Sequence, residues 1–149
     1  KMNKEKKLDV LKDSAVQAHI SMLQGIINRM AGNSANCKNW TVTLVAAMLV
    51  LLVDKEMQLP NACLCLIPVG LLYLLDCYYL GLERAVIKSQ KDFLDKLSDD
   101  TYVDLIYRVE NLGGRCTQLQ NTIKATCSPS TTPFYLIVAL VVLFFGKII

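Results

Sequence analysis

Three apolar stretches without a charged residue constrain this chain more than any other feature of its sequence. They cover residues 40–53, 57–75 and 133–146. A membrane-spanning helix needs about 20 mainly apolar residues, because each residue adds about 1.5 Å of length. The segment from about 59 to 80 has that length. The first stretch reaches it only with residues 34–37 upstream, and the third only with the region 128–132. The sequence therefore predicts three transmembrane helices.

Composition leaves little room for anything besides these spans. The chain has 149 residues, of which 53% are apolar and 19% are charged. We expect an all-α membrane protein with about three transmembrane helices, an N-terminal amphipathic helix and a small cytoplasmic helical region. The predicted boundaries are 1–33 for the N-terminal helix, 34–81 for a two-span hairpin, 82–128 for the cytoplasmic region and 129–149 for the third span.

The placement of lysine and arginine predicts the orientation. Seven of them precede the first span, seven lie between the second and third spans, and one each lies in the first loop and at the end. Basic residues accumulate on the cytoplasmic side of membrane proteins. The N-terminus and 82–128 are therefore expected in the cytoplasm. Residues 1–12 are rich in lysine and acids, so we expect no cleavable signal.

The parts of the chain outside the spans carry helical patterns. Between residues 16 and 30, apolar residues recur at a four-three spacing: Val16, Ile20, Leu23, Ile27 and Met30. This seam packs either on the chain's own helices or between subunits. A turn is predicted at 32–34, with Asn33 or Ser34 as a helix cap. The second span is expected to continue as a stalk, followed by two short helices over 103–112 and 115–125. Pro68 predicts a bend that serves either packing or gating.

The sequence offers little for an enzyme. His19 is the only histidine and has no evident carboxylate or nucleophile partner, and no catalytic motif or paired zinc-ligand pattern occurs. The six cysteines are interpreted as small apolar thiols in a reducing compartment. We predict no catalytic residue, no metal site and no cofactor.

Asp76 is the outstanding residue at membrane level. A carboxylate within a span is costly, so it usually faces a bundle interior or water and has a partner. Glu83 follows two helical turns later, and Tyr79 lies between them on the same face. These three residues are the predicted pore or gate. The alternative is that Asp76 lies at the interface, hydrated or paired with Lys38, and sets the depth of its helix.

Basic residues of the cytoplasmic region form a candidate site for an anionic ligand. The predicted ligand-binding residues are Arg84, Lys88, Arg108 and Arg115, with Tyr102 and Tyr107 near enough in sequence to stack on a base. Acidic residues are interleaved among them. A solvated surface close to anionic lipid explains the same pattern.

Two runs carry a resemblance to a known family. They are IINRMAGNSANCKNWTVTLV at 26–45 and LDCYYLGLER at 75–84. The chain is similar over residues 20–97 to small membrane proteins of prokaryotic defence islands, the SLATT-type effectors, and resembles in particular those of the Hailong antiphage system. The resemblance implies a bacterial inner-membrane protein that forms an oligomeric pore and depolarises the cell. It also implies a nucleotide or DNA-oligomer ligand, made by a partner nucleotidyltransferase, that controls the pore. The third span departs from the two-span pattern of that family.

The expected function is therefore a homo-oligomeric membrane effector that forms a ligand-controlled ion channel in antiphage defence. Closed symmetry among several copies is required, because one subunit has too few spans to enclose a water path. One alternative is a membrane-anchored assembly module without pore activity. A holin-like lysis protein is a further alternative that the apolar C-terminus disfavours.

Overall fold

Helices account for all regular structure in the computed structural model, which describes residues 9–53, 59–97, 102–109 and 115–148. The four long elements are α1 (Ser14–Val53), α2 (Leu59–Lys96), α3 (Arg115–Thr126) and α4 (Thr132–Ile148). A 3-10 turn, Val103–Leu105, lies between α2 and α3. α1 and α2 pack along each other as an antiparallel pair; α3 packs on α2, and α4 packs on both α2 and α1. The predicted all-helical class is confirmed.

α1 is a single helix of 40 residues, about 60 Å long. Asp13 caps its start, because its Oδ1 accepts a hydrogen bond of 2.9 Å from the backbone N–H of Ala15. The predicted turn at 32–34 is wrong, since the helix continues through all three residues. A glycine inside a helix costs only about 1 kcal/mol relative to alanine. Packing against α2 outweighs that local signal.

The predicted continuation of the second apolar stretch as one helix is confirmed, because α2 runs unbroken for 38 residues, with Pro68 inside it. Within it, Leu64–Lys96 contains an apolar window long enough to cross a membrane. In the part of the chain that the structure describes, this is the one helix that meets the criterion by length and composition; Thr132–Phe145 is a shorter apolar helix. Only 28% of the window is buried inside the protein. Most of its apolar surface therefore faces outward, unlike that of a core helix in a soluble protein.

Exposed apolar side chains concentrate at one end of the molecule, in what we call the apolar belt. The belt residues are Trp40, Val42, Leu44 and Val50 on α1; Leu64, Ile67, Leu71, Leu74, Leu75 and Tyr78 on α2; and Leu136, Ile137, Leu140, Val141, Leu143, Phe144 and Phe145 on α4. Outside the belt, Val103, Tyr107 and Ile123 are exposed as well. Beyond Tyr78, the exposed residues of α2 are charged, among them Arg84, Lys88 and Lys91. The exposed surface of α2 thus changes from apolar to charged beyond Tyr78.

Two buried clusters hold the helices together. At the level of the apolar belt, Val45, Val69 and Val142 join α1, α2 and α4. At the opposite end, Val16 on α1 packs with Phe93 on α2 and with Leu97 directly after it. Val16 and Leu23 of the four-three seam are fully buried. The seam therefore packs on the chain's own helices, which is the first of its two interpretations.

The segment 102–109 departs from the short helix predicted over 103–112. Helical structure there is limited to the 3-10 turn, after which Ile106 is extended and Tyr107 has a φ of 63°. That left-handed backbone is unusual for a tyrosine. The N–H of Tyr107 donates a hydrogen bond of 3.1 Å to Nδ1 of His19, whose ring contacts Phe93 edge-on at a centroid distance of 4.3 Å. A tertiary hydrogen bond thus stabilises a conformation that the local sequence does not favour. The predicted helix over 115–125 is confirmed as α3. Residues 110–112 of the helix predicted over 103–112 lie outside the described residues.

Acid should destabilise the folded protein through His19. Burial lowers the pKa of His19 from its ordinary value of 6.5. The unfolded chain therefore binds a proton at a higher pH than the folded chain does. The stabilisation by neutral His19 is complete above about pH 6.5 and is lost as the pH falls through the lowered pKa. We expect the unfolding temperature in detergent to fall over this pH window.

The matched control is His19→Asn, which keeps an acceptor near the position of Nδ1 and does not titrate in this range. The wild-type protein should lose more of its unfolding temperature on acidification than the variant does. Equal losses in the two proteins would show that His19 is not the responsible group.

Candidate functional site

Asp76 occupies the boundary between the apolar belt and the charged stalk of α2. Its neighbours Leu74, Leu75 and Tyr78 are exposed, whereas the side chain of Asp76 has a relative exposure of 0%. The helix directs Asp76 away from those three residues and toward α1. The one acidic side chain in this part of α2 is therefore inside the subunit.

Two side chains of α1 contact the Asp76 carboxylate. The hydroxyl of Ser34 donates a hydrogen bond to Oδ1, and Nζ of Lys38 forms an ion pair of 2.9 Å with Oδ2. Lys38 Nζ also donates to Ser34 Oγ at 3.1 Å. Ser34 and Lys38 are four residues apart, so one helical turn brings them onto the same face. The three groups form a closed polar triangle, which we call the Ser34–Lys38–Asp76 cluster.

The cluster continues toward the apolar belt through buried polar groups. Thr41 is fully buried and satisfies its hydroxyl by donating to the carbonyl of Cys37 at 2.7 Å. Farther along, the hydroxyl of Tyr135 on α4 donates to the carbonyl of Leu72 at 3.3 Å. The hydroxyl of Tyr73 donates to the carbonyl of Thr126 at 2.9 Å, which joins α2 to the end of α3. The two tyrosine bonds fix the heights of α3 and α4 relative to α2.

The electrostatics of the cluster are asymmetric. Asp76 is fully buried, while the side chain of Lys38 keeps 23% of its surface exposed. Removing a carboxylate from water is unfavourable unless a cation and hydrogen-bond donors replace the solvent. Lys38 and Ser34 supply both to Asp76. The arrangement neutralises Asp76 and ties α1 to α2; exposing the carboxylate would require the two helices to separate or shift.

The other two predicted pore residues lie on the same helix as Asp76 but are not part of the Ser34–Lys38–Asp76 cluster. Tyr79 and Glu83 are both half-buried, about one and two turns farther along α2. The rings of Tyr78 and Tyr79 pack at a tilt, with centroids 5.8 Å apart. Since Asp76 is enclosed by α1, it does not line a water-filled surface of the single subunit.

The predicted ligand-binding bases fall into separate places. Arg84 and Lys88 are exposed on successive turns of α2, and Nη2 of Arg84 donates to Ser128 Oγ at 3.0 Å. Arg108 is exposed next to Tyr107, whose N–H donates to His19 of α1 beside Phe93. Nine residues of helix separate Arg84 from Phe93, about 13 Å. The structure thus brings Arg84 and Lys88 together and leaves Arg108 apart from them; the side chain of Arg115 lies outside the described part.

Sequence reasoning missed two contacts. The sequence predicts Asn33 or Ser34 as a helix cap and not a contact of Ser34 with Asp76, for which the four-residue spacing of Ser34 from Lys38 is the available signal. The bond between His19 and Tyr107 joins residues 88 positions apart, and no local pattern indicates it. Among the described residues, no group of three His, Cys, Asp or Glu side chains is arranged to hold a metal ion.

An open groove of 380 Å³ runs between α2 and α4 within the apolar belt. Its lining residues include Leu66, Val69, Gly70, Tyr73, Tyr135 and Leu136. The groove is apolar and contains no charged group, so it favours a hydrocarbon chain or an apolar helix over a polar solute.

No family model, curated protein or solved structure significantly matches this chain.

Proposed function

We propose that this chain is a multi-pass membrane protein whose copies assemble into a ligand-controlled ion channel. The observation that carries the proposal is the Ser34–Lys38–Asp76 cluster at the edge of the apolar belt. A buried ion pair at membrane depth is costly, and such residues usually mark an ion path or a switch. The cluster joins two of the proposed spans, so any change within it alters how those spans pack.

The dimensions of the apolar belt support three spans. At 1.5 Å per residue, the uncharged helical stretches cover about 20 Å on α1 (40–53), about 24 Å on α2 (59–75) and about 21 Å on α4 (132–146). The hydrocarbon core of a bilayer is about 30 Å thick, and shorter helices are accommodated by local thinning. The proposed protein crosses a bacterial inner membrane three times, with its N-terminus and the 82–128 region in the cytoplasm.

A pore requires several copies. Side chains such as Val45, Val69 and Val142 fill the space between the helices of one subunit. Since three packed helices are too few to enclose a water path, the path must form between subunits related by closed symmetry. In this proposal the inner mouth is formed near Asp76, Tyr79 and Glu83.

The cytoplasmic bases are the proposed ligand contacts. Arg84 and Lys88 lie on the stalk of α2, beyond the helical turn that contains Asp76. A ligand bound to them therefore contacts the same helix that carries the Ser34–Lys38–Asp76 cluster. Arg108 and Arg115 are the other candidates. The resemblance to defence effectors favours a nucleotide or DNA oligomer made by a partner nucleotidyltransferase.

A second function is favoured by one specific observation. The Asp76 carboxylate is closed off inside a single subunit, as expected of a residue that only stabilises the fold. A membrane-anchored module that assembles a cytoplasmic partner, without conducting ions, accounts for that enclosure equally well.

Ion flux separates the two functions. We expect purified full-length protein in potassium-loaded liposomes to collapse a potassium diffusion potential, measured with a voltage-sensitive dye, because its oligomer forms a conducting path. Protein-free liposomes and liposomes with added oligodeoxynucleotide provide the comparisons. If an intact oligomer leaves the potential unchanged under all these conditions, the channel proposal fails and the assembly module is retained.

A further inference from the structure

The groove between α2 and α4 offers an apolar surface along its whole length. Its walls are residues 66–73 of α2 and 132–139 of α4, and each wall rises about 10 Å. Three side-chain hydroxyls occur in the lining, those of Tyr73, Thr132 and Tyr135, and each already donates to a backbone carbonyl of the subunit. The lining therefore presents hydrocarbon to a ligand and no free hydroxyl proton.

Gly70 leaves the groove open in the middle of its α2 wall. A Cβ atom added at this position would meet nothing within 4 Å. The volume of the groove, 380 Å³, lies within the range of about 300–1,000 Å³ that is typical of ligand pockets. A flexible hydrocarbon chain can occupy such a space without any movement of the helices.

Arg84 lies beside the end of the groove that is nearest the charged stalk. Its Nη2 donates to Oγ of Ser128 at 3.0 Å, and the N–H of Thr132 in the groove lining donates to the carbonyl of Ser128 at 3.1 Å. One hydrogen-bonded turn therefore joins the guanidinium to the groove. Ser128 is buried and Arg84 is exposed. A guanidinium carries five N–H donors, so the bond to Ser128 positions the group and leaves donors for an anion.

The surroundings of Arg84 are basic. Residues 111–149, which include all of α3 and α4, contain no aspartate or glutamate. Lys124 is exposed one helical turn before Ser128, and Lys88 is exposed one turn beyond Arg84. Glu83, the acid next to Arg84 in sequence, is half-buried. The charge at this end of the groove is thus complementary to an anion.

We infer that the groove binds an anionic phospholipid, with an acyl chain between α2 and α4 and its phosphate at Arg84. The occupant must be hydrocarbon for about 10 Å and anionic at the end that lies near the stalk. A phospholipid combines both parts in one molecule, and basic pockets between transmembrane helices on the cytoplasmic side bind anionic head groups. Arginine is well suited to phosphate because it can donate two parallel hydrogen bonds.

Other occupants match the groove less well. A second copy of this chain at the same height in the membrane would bring its own Arg84 and Lys88, which repel the same charges of the first copy. A soluble phosphate compound has no part that fills the apolar groove. The inference rests on the proposed insertion in a membrane, although it does not require that the protein conducts ions.

Lipid titration of the detergent-solubilised full-length protein tests the inference. Native mass spectrometry gives an apparent Kd for dioleoyl phosphatidylglycerol and for dioleoyl phosphatidylcholine, whose choline ammonium offsets the phosphate charge. The wild type should bind phosphatidylglycerol about tenfold more tightly. Glycerol 3-phosphate, which carries the phosphate without acyl chains, should not displace it.

Substitution of Arg84 tests the phosphate contact. Arg84→Gln should raise the Kd for phosphatidylglycerol about tenfold, the effect of losing one charge-assisted hydrogen bond, and should abolish the preference over phosphatidylcholine. Arg84→Lys retains the charge and should retain the preference. The matched control is Arg29→Gln, which removes an exposed arginine from α1, a helix that does not line the groove. Its Kd should equal that of the wild type.

Substitution of Gly70 tests the acyl-chain contact. Gly70→Leu fills the groove, so it should weaken binding of both lipids. The matched control is Gly32→Leu on α1, where an added Cβ also meets nothing within 4 Å, and its lipid binding should equal that of the wild type. Gly70→Leu leaves the bond between Arg84 and Ser128 in place, so this comparison still decides the matter if Arg84→Gln fails to fold.

Four results would overturn the inference. They are equal affinity of the wild type for the two lipids, an unchanged Kd in folded Arg84→Gln, an unchanged Kd in Gly70→Leu, and displacement of phosphatidylglycerol by glycerol 3-phosphate. The last result would indicate a phosphate site without an acyl chain. Selective lipid binding by a protein that shows no ion flux would leave the inference standing and refute the channel. Ion flux without any lipid preference would do the reverse.

Discussion

Replacing Lys38 with methionine should destabilise the protein far more than replacing Asp76 with asparagine. Lys38→Met leaves the fully buried Asp76 carboxylate without its cation, and an uncompensated buried charge costs about 3–5 kcal/mol. Asp76→Asn leaves Lys38 unpaired instead. Because 23% of the Lys38 side chain is already exposed, its ammonium can turn toward water at a lower cost. The unfolding temperature of each purified variant in detergent measures the difference.

The double variant Lys38→Met/Asp76→Asn is the control. It removes both charges, so it should recover much of the stability that Lys38→Met loses, and the coupling energy of the two sites should be clearly different from zero. In that variant, Ser34 can still donate to the amide oxygen of the asparagine introduced at position 76. Equal losses for the two single variants, or losses that simply add in the double variant, would show that Lys38 and Asp76 do not form a buried pair.

This asymmetry changes what an Asp76 variant can report about conduction. If Asp76 faced water, its removal would affect only ion flow. Since it is enclosed, Asp76→Asn also weakens the link between α1 and α2. A conductance change in this variant therefore reflects loosening of the cluster as well as loss of a pore charge, and the double variant separates the two effects.

The helices could be predicted from the sequence where burial and hydrophobicity act along a long segment. The stalk of α2 is an example, because the apolar pattern beyond Leu80 continues the helix of the second apolar stretch. The turn predicted at 32–34 failed for the opposite reason. Gly32 and Asn33 are weak local signals, and contact of α1 with α2 on both sides of them keeps the helix intact.

The candidate site was partly visible in the sequence. Asp76 stands out as a charge at the edge of an apolar stretch, and pairing with Lys38 was one of its two interpretations. Its complete burial was not predictable, because burial depends on how α1 is rotated against α2. The left-handed conformation of Tyr107 was not predictable for a similar reason, because it depends on a hydrogen bond to His19 from a distant part of the chain.

Cysteine labelling should place the apolar belt in lipid. Leu71 and Leu140 have relative exposures of 65% and 57% in the subunit, so a cysteine at either position would react readily in a water-soluble protein. In a membrane, the bilayer keeps a water-soluble maleimide away and suppresses the thiolate that reacts with it. We expect Leu71→Cys and Leu140→Cys to stay unlabelled until the membrane is dissolved in SDS.

Labelling from the two sides of the membrane tests the central claim of a three-span protein most directly. The test uses a background without the native cysteines that keeps the wild-type oligomer. A cysteine at Lys55 should react in intact cells, and one at the exposed Gln120 of α3 should react only after the membrane is opened. That pattern, with the belt positions protected, is the predicted result. Two results would contradict it. One is labelling of Lys55→Cys and Gln120→Cys from the same side of the membrane. The other is labelling of the belt positions as readily as Gln120→Cys.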